Sequence, residues 1–220
     1  MPGVVLLKRD GYKVGIMARY TDSVCKLCQR CNVKLMLKGS RCFTPKCAME
    51  RRRRVTGRRR RISDRGLQLI EKQKVRYSYG ILERQFRKTF NQASKQQGIT
   101  GDNLIVLLER RLDNIVYRLG FADSRAQARQ IVQHGHIQVN GRKTDIPSYQ
   151  TKEGDTISWR ESSMKTEYYK QLLEDIGSKD LVSWLSLDKQ RLIGQIISLP
   201  TLDEVGAEFD GQAVVEYYSR

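Results

Sequence analysis

Acidic residues are scarce over most of this 220-residue chain. Residues 1–150 hold 33 Lys+Arg against 11 Asp+Glu, a net of +22, while residues 151–220 hold 8 against 13, a net of −5. Such segregation excludes a charge that serves solubility alone. Long apolar runs are missing too: none reaches the roughly 18 residues of a membrane-spanning helix. The apolar patch at residues 4–7 is short and has no small-residue cleavage site, so no secretory signal is expected. Enzyme signatures are absent: there is no Walker glycine loop, dinucleotide fingerprint, G-x-S-x-G or H-E-x-x-H, and no internal repeat. Catalysis is not expected. Cysteine is missing everywhere except residues 25–47, where all five stand in "CKLCQRCNVKLMLKGSRCFTPKC".

A field this basic suits a polyanion, either nucleic acid or an anionic membrane surface. Clustered cysteines without a secretory signal favour reduced thiols and a metal over disulfides. Together these readings favour an intracellular nucleic-acid binder. Zinc takes four soft ligands in a tetrahedron, and thiolates paired at short spacing supply them. Two registers satisfy it. Cys25, Cys28, Cys42 and Cys47 give C-x2-C-x13-C-x4-C; Cys28, Cys31, Cys42 and Cys47 give C-x2-C-x10-C-x4-C. Spacing does not choose between them. Four thiolates would also hold an iron–sulfur cluster, but nothing in the basic surroundings favours one. A closed shell leaves no open position, so the metal is expected to be structural, folding a segment too small and charged to fold alone. Lys26, Arg30, Lys34, Lys38, Arg41 and Lys46 make this knot a basic platform.

An arginine block follows: Arg51, Arg52, Arg53, Arg54, Arg58, Arg59, Arg60 and Arg61. Density of that order cannot be buried, and each planar guanidinium can fork onto a phosphate. Helical signals come next. Ser63 or Asp64 caps a first helix that runs to Gly80; Leu82, Phe86, Phe90 and Ala93 then recur at helical spacing, with Gly98 as a stop. A third helix is predicted over residues 102–119, ended by Gly120. Ser124 and Gln127 match a capping box, so a short helix starts there and stops near Gly135. The period then switches to two, and Asn140-Gly141 supplies a hairpin turn. Further strands are predicted at residues 146–149 and 156–159. Met164, Tyr168 and Leu172 form a helical stripe, a short helix is predicted over residues 180–185, and "AVVEYYSR" reads as a terminal strand.

The fold class expected is α+β and mainly helical. It comprises an N-terminal zinc knot, a helical domain, and an inserted RNA-binding module of two helices plus a small sheet. The boundaries are residues 1–16 for a disordered extension, 17–62 for knot and arginine arm, 63–108 for the helical domain, 109–175 for the module, and 180–220 for a segment that packs on the helical domain. In the module Arg125, Gln127, Arg129, His134, His136, Asn140 and Arg142 crowd the joint between second helix and hairpin. The two histidines lack a nearby carboxylate or cysteine for a metal and a nucleophile for catalysis, so contact with RNA phosphates, 2′-hydroxyls or bases is expected. Arg84, Arg87, Arg110 and Arg111 complete the candidate RNA contacts.

The stretches "VCKLCQRCNVKLMLKGSRCFTPKCAMERR", "SYGILERQFRKTF", "LLERRLDNIVYRLGFADSRAQARQIVQHGHIQVNGRK", "WLSLD" and "VVEYYSR" resemble, in order, the S-four family of bacterial small-subunit ribosomal proteins. The resemblance covers most of residues 17–220. It implies a structural protein that binds small-subunit ribosomal RNA early in assembly, sits in the cytoplasm within the ribosome, and influences decoding accuracy. Neighbouring proteins of the S-five and S-twelve type and messenger RNA near where it enters are implied partners, with no membrane and no small-molecule substrate. Some members repress their own operon. Zinc-binding members resemble this chain at Cys25, Cys28, Cys42 and Cys47, with Cys31 where a non-ligand is usual. The family's Pro/Gly-rich segment after the knot is here "RRVTGRRRR". Members commonly begin near "MARY", residues 17–20 here, so residues 1–16 are an extension or an upstream start choice. An RNA-modifying enzyme such as a pseudouridine synthase, using the same module as a tether, is the alternative, but the roughly 60 residues after the module are too few for a catalytic domain of about 100. A free RNA-binding regulator would lack the knot and the family tail.

Overall fold

The computed structural model describes residues 20–50, 62–179, 181–205 and 209–219. The expectations for residues 1–16 and for the arginine block lie outside the described residues. Among the described residues the order is α1 (Cys25–Cys31), α2 (Asp64–Ser78), α3 (Glu83–Ala93), α4 (Thr100–Glu109), α5 (Leu112–Arg118), α6 (Arg125–Gln133), β1 (Ile137–Val139), β2 (Arg142–Lys143), β3 (Thr156–Trp159), α7 (Glu167–Asp175), β4 (Leu185–Asp188), β5 (Ile193–Ile196), α8 (Leu202–Val205) and α9 (Gly211–Tyr218). None of these helices is long and apolar enough to cross a membrane. The α+β class stands.

Capping sets several boundaries. The Ser63 hydroxyl accepts from the Gly66 N–H at the start of α2. At α6 the Ser124 Oγ accepts from the Gln127 N–H (3.3 Å), and Gln127 Oε1 accepts from the Asp123 N–H (2.9 Å), which closes the predicted box one residue early. Asn140 and Gly141 both take positive φ, 50° and 76°, as a tight hairpin between β1 and β2 requires.

Four local expectations are corrected. The helix expected over residues 102–119 is two, α4 and α5, broken at Arg110–Arg111 because the first N–H groups of α5 find partners elsewhere. Leu112 N–H donates to the Tyr149 carbonyl (2.9 Å) and Asp113 N–H to that of Pro147 (3.2 Å). For the same reason residues 146–149 are not a sheet strand: that segment turns and serves the α5 N-terminus. Residues 181–184 carry no helix and lead into β4, anchored by the buried Trp184. The tail is helix α9, not a strand. Asp210 caps it by accepting from the Ala213 N–H (3.0 Å), Val214 is buried in the core it shares with α2 and α4, and the Tyr218 ring lies 4.6 Å from that of Phe90 on α3.

The sheet is antiparallel throughout, with strand order β2-β1-β3-β5-β4. Its last two strands come from beyond residue 175, so the sheet is larger than the sequence pattern implies. Among the described residues two large apolar cores result, beside the small cluster of Cys28, Cys31 and Leu35 in the N-terminal segment. One gathers Phe86, Phe90, Leu104, Leu108 and Val214 among α2, α3, α4 and α9. The other gathers Leu119, Phe121, Ile137, Ile157, Trp159 and Trp184 between α5, α6 and the sheet.

Gly194 in β5 is where the second core closes most tightly. A methyl there would stand 2.5 Å from both Cδ atoms of Leu119, which is itself buried in the core. Gly194→Ala is therefore expected to lower stability by about 1–3 kcal/mol, read as an earlier urea midpoint with an unchanged slope.

Candidate nucleic-acid interface

The N-terminal segment brings four thiols together. Helix α1 carries Cys25 and Cys28, a 3-10 turn over Gly39–Phe43 delivers Cys42, and the chain returns to place Cys47. These four line one small cavity of about 20 Å³ beside Leu37 and Met49. Cys31 does not line it, although it packs with Cys28 and Leu35 in one small cluster. Burial pushes the Cys28 thiol up; the Leu35 N–H opposes this, and the nearby Cys42, Cys25 and Cys47 add to it. Burial raises the Cys31 thiol to about 11, with Lys74 opposing. The Lys38 N–H donates to Cys42 Sγ (3.3 Å). Among the described residues no group of three or more His, Cys, Asp or Glu side chains is placed so that it could hold a metal ion.

The outside of this segment is basic. Lys26, Arg30, Lys38, Arg41 and Lys46 are exposed, whereas Lys34 pairs with Glu50. Phe43, between Arg41 and Lys46, is 76% exposed; the sequence reading passed over it because nothing in the pattern distinguishes it from a core aromatic. The segment seats on the module at Gly39, whose φ is +57° and where a Cβ would lie 2.6 Å from the Asp123 carbonyl oxygen.

A second basic surface lies on α3. Phe86, Phe90 and Ala93 face the core, so Arg84, Arg87 and Lys88 face out. With Leu82, Gln85 and Asn91 they border an open concavity of about 510 Å³ without a carboxylate. Lys88 shares this face, and its spacing of four from Arg84 is the sequence signal for it.

In the joint the structure divides the predicted residues. Arg111, Arg125 and Arg129 are engaged internally rather than presented to a ligand. Arg129, 6% exposed, donates to Asp113 Oδ2 through Nε (2.8 Å) and Nη2 (2.5 Å), and to the carbonyls of Gly80 and Tyr79. Arg111 forks onto the same carboxylate at 3.1 and 2.9 Å. Arg125 donates to Asn114 Oδ1 (2.7 Å), its guanidinium carbon 4.8 and 4.6 Å from the ring centres of Tyr79 and Tyr117. Arg110 Nε donates to the Thr151 carbonyl (3.0 Å). Gln127 caps α6 and donates to Tyr168 Oη, and Asn140 ties the hairpin to Asp155 and Thr156. His136 Nδ1 meets Ser163 Oγ (2.9 Å); burial holds its pKa down, and His134 and Arg160 push the same way. His134 and Arg142 are left exposed, joined by Lys143, whose Cε would lie 2.6 Å from a Cβ on Gly135.

Glu109 is the carboxylate around which this joint closes, and it is fully buried. It accepts from Tyr79 Oη (2.5 Å), Asn114 Nδ2 (2.6 Å), and Arg118 Nε and Nη2 (3.0 and 2.8 Å), with Arg125 Nη2 3.8 Å away. Burial pushes its pKa up, but the Arg118 guanidinium, Arg125 and the Tyr79 hydroxyl outweigh that and hold it below the usual carboxylate range.

Residues 19–109 match the family described as "Ribosomal protein S4/S9 N-terminal domain", and residues 110–157 match the "S4 domain". The division falls on the break between α4 and α5. The chain is 57% identical over 208 residues to the Small ribosomal subunit protein uS4 of Dehalococcoides mccartyi, spanning 93% of this chain and 100% of that protein. Proteins of the same name from Pelotomaculum thermopropionicum and Thermus thermophilus are 50% and 51% identical over 208 and 209 residues, with the same coverage.

A carboxyl with a depressed folded pKa stabilises the protein above its unfolded pKa, about 4.3 for Glu, and that stability is lost as pH falls through the folded value. Glu109→Gln is expected to cost roughly 3 kcal/mol at neutral pH, since it leaves buried guanidinium uncompensated. Its stability should also fall less steeply below about pH 4.3 than that of the parent. Urea midpoints between neutral and acid pH check both.

Proposed function

The chain belongs to the uS4 family of small ribosomal subunit proteins, and from that premise we propose how it grips RNA. It is a structural constituent of the small subunit, binds ribosomal RNA, works in the cytoplasm within the ribosome, and is not an enzyme. The carrying observation is the sorting of its cations. Those of the N-terminal segment other than Lys34 stand exposed, those of the α3 face border a concavity that no carboxylate among the described residues lines, and the joint arginines turn inward. Exposed cations of this kind bind phosphates in a way that is tolerant of sequence and sensitive to salt. The exposed Phe43 adds a flat surface on which an unpaired base can stack. His134, Arg142 and Lys143 extend the grip to the hairpin. In this reading the protein binds early, nucleates the body of the subunit, and contributes to decoding accuracy alongside S-five and S-twelve type neighbours and near incoming messenger RNA.

Zinc is part of the proposal. What supports Cys25, Cys28, Cys42 and Cys47 for it is that all four thiols border one cavity, which Cys31 does not line. The four cysteine thiolates would close the ion's ligand shell, and the bound ion would brace the basic platform. The residues themselves already shape that platform through α1, the 3-10 turn and the seat of Gly39 on Asp123.

Stoichiometric co-sedimentation of the cellular protein with the small subunit tests the core of this reading; a free pool at the top of the gradient counts against it. Arg84→Gln, Arg87→Gln and Lys88→Gln combined should weaken binding to all RNA sequences and lower the slope of log affinity against log salt by about two. An unchanged slope removes α3 from the interface. Metal content by mass spectrometry should survive Cys31→Ser and be lost on Cys25→Ser.

A further inference from the structure

The two apolar cores meet across a layer of charge rather than across aliphatic side chains. Arg129 reaches from α6 to the Tyr79 and Gly80 carbonyls at the end of α2. Arg118 reaches from α5 to Glu109 at the end of α4 and to the Val205 carbonyl of α8 (3.2 Å). Arg125 lies over the ring of Tyr79. A layer of this kind adds little net stability, because stripping water from charges offsets their attraction. Forked, charge-assisted bonds do restrict orientation, since few mutual placements of the two bodies satisfy them together. Exposed cations stand on both sides of the layer: Arg84, Arg87 and Lys88 with the first core, Arg142 and Lys143, beside the exposed His134, with the second.

We propose that Arg129, assisted by Arg118 and Arg125, is a positioning residue that fixes the angle between two RNA-contacting surfaces so that both engage one ribosomal RNA at once. The inference rests on the ribosomal-RNA reading above. When one surface is bound, the second contact becomes intramolecular, and its effective concentration depends on whether the geometry lets it reach. A joint that rocks loses that gain while each surface keeps its own contacts. Arg129 can be removed without orphaning a carboxylate, because Asp113 remains forked to Arg111.

The test uses the full chain with three probes: intact small-subunit ribosomal RNA, and two segments cut from it, one footprinted by each side of the protein. Arg129→Met should bind each segment within about twofold of the parent yet bind the intact RNA about tenfold or more weakly, with the salt slope unchanged. Parent-like binding of the intact RNA overturns the inference, as does an equal loss on segments and intact RNA. A slope lowered by about 0.7–0.9 overturns it as well, because Arg129 would then be touching a phosphate itself. Arg125→Gln, at a half-buried position, should show the same pattern and carries the test if Arg129→Met does not fold. Failure of the parent chain to bind the intact RNA sinks the ribosomal reading and this inference with it; the other outcomes sink the inference alone.

Discussion

The rest of the structure hangs on the buried ionic joint between α2–α4 and α5–α6. Two carboxylates, Glu109 and Asp113, stand among four guanidiniums, those of Arg111, Arg118, Arg125 and Arg129. The carboxylates are almost without exposure, so leaving either unpaired would be costly, and the helices take the placement that satisfies both. The break after Glu109, set by the partners that the first N–H groups of α5 find, is compatible with this requirement. It lets α5 start anew, presents Asn114 to Glu109, and leaves its first N–H groups to the carbonyls of Pro147 and Tyr149.

The joint also decides which cations face outward. Guanidinium is a fork that suits a carboxylate as well as a phosphate, so composition alone cannot say which partner a given arginine has. Here the arginines nearest the joint are held by the protein, and those on the knot and α3 are left to solvent. The chain's basic character thus serves two purposes, an internal one of geometry and an external one of phosphate contact.

Much of this was legible in the residues. The Ser63 and Ser124 caps, the Asn140-Gly141 hairpin and the Phe86/Phe90 stripe depend on neighbours within a few positions, and they appear where the pattern puts them. What went astray depends on distant partners. The tail "AVVEYYSR" reads as a strand until Val214 and Tyr218 find α2, α3 and α4 to pack against. Residues 146–149 have strand-like composition but lie against the start of α5. Arg125 and Arg129 look like RNA contacts because Glu109 and Asp113, their partners, sit on other helices. Phe43 is no different in sequence from a core aromatic, and only its exposure sets it apart.

The sequence by itself determined the lopsided charge, the confinement of cysteine to one short segment, the local caps and turns, and the ordered motifs that mark the family. These follow from composition and from interactions at short range. Tertiary structure alone decided that β4 and β5, from beyond the module, complete the sheet beside β3. It also decided that Cys31 stands outside the cavity the other four thiols share, and that the joint arginines turn inward. Each of these depends on which groups become neighbours once water is excluded, and no local spacing encodes that.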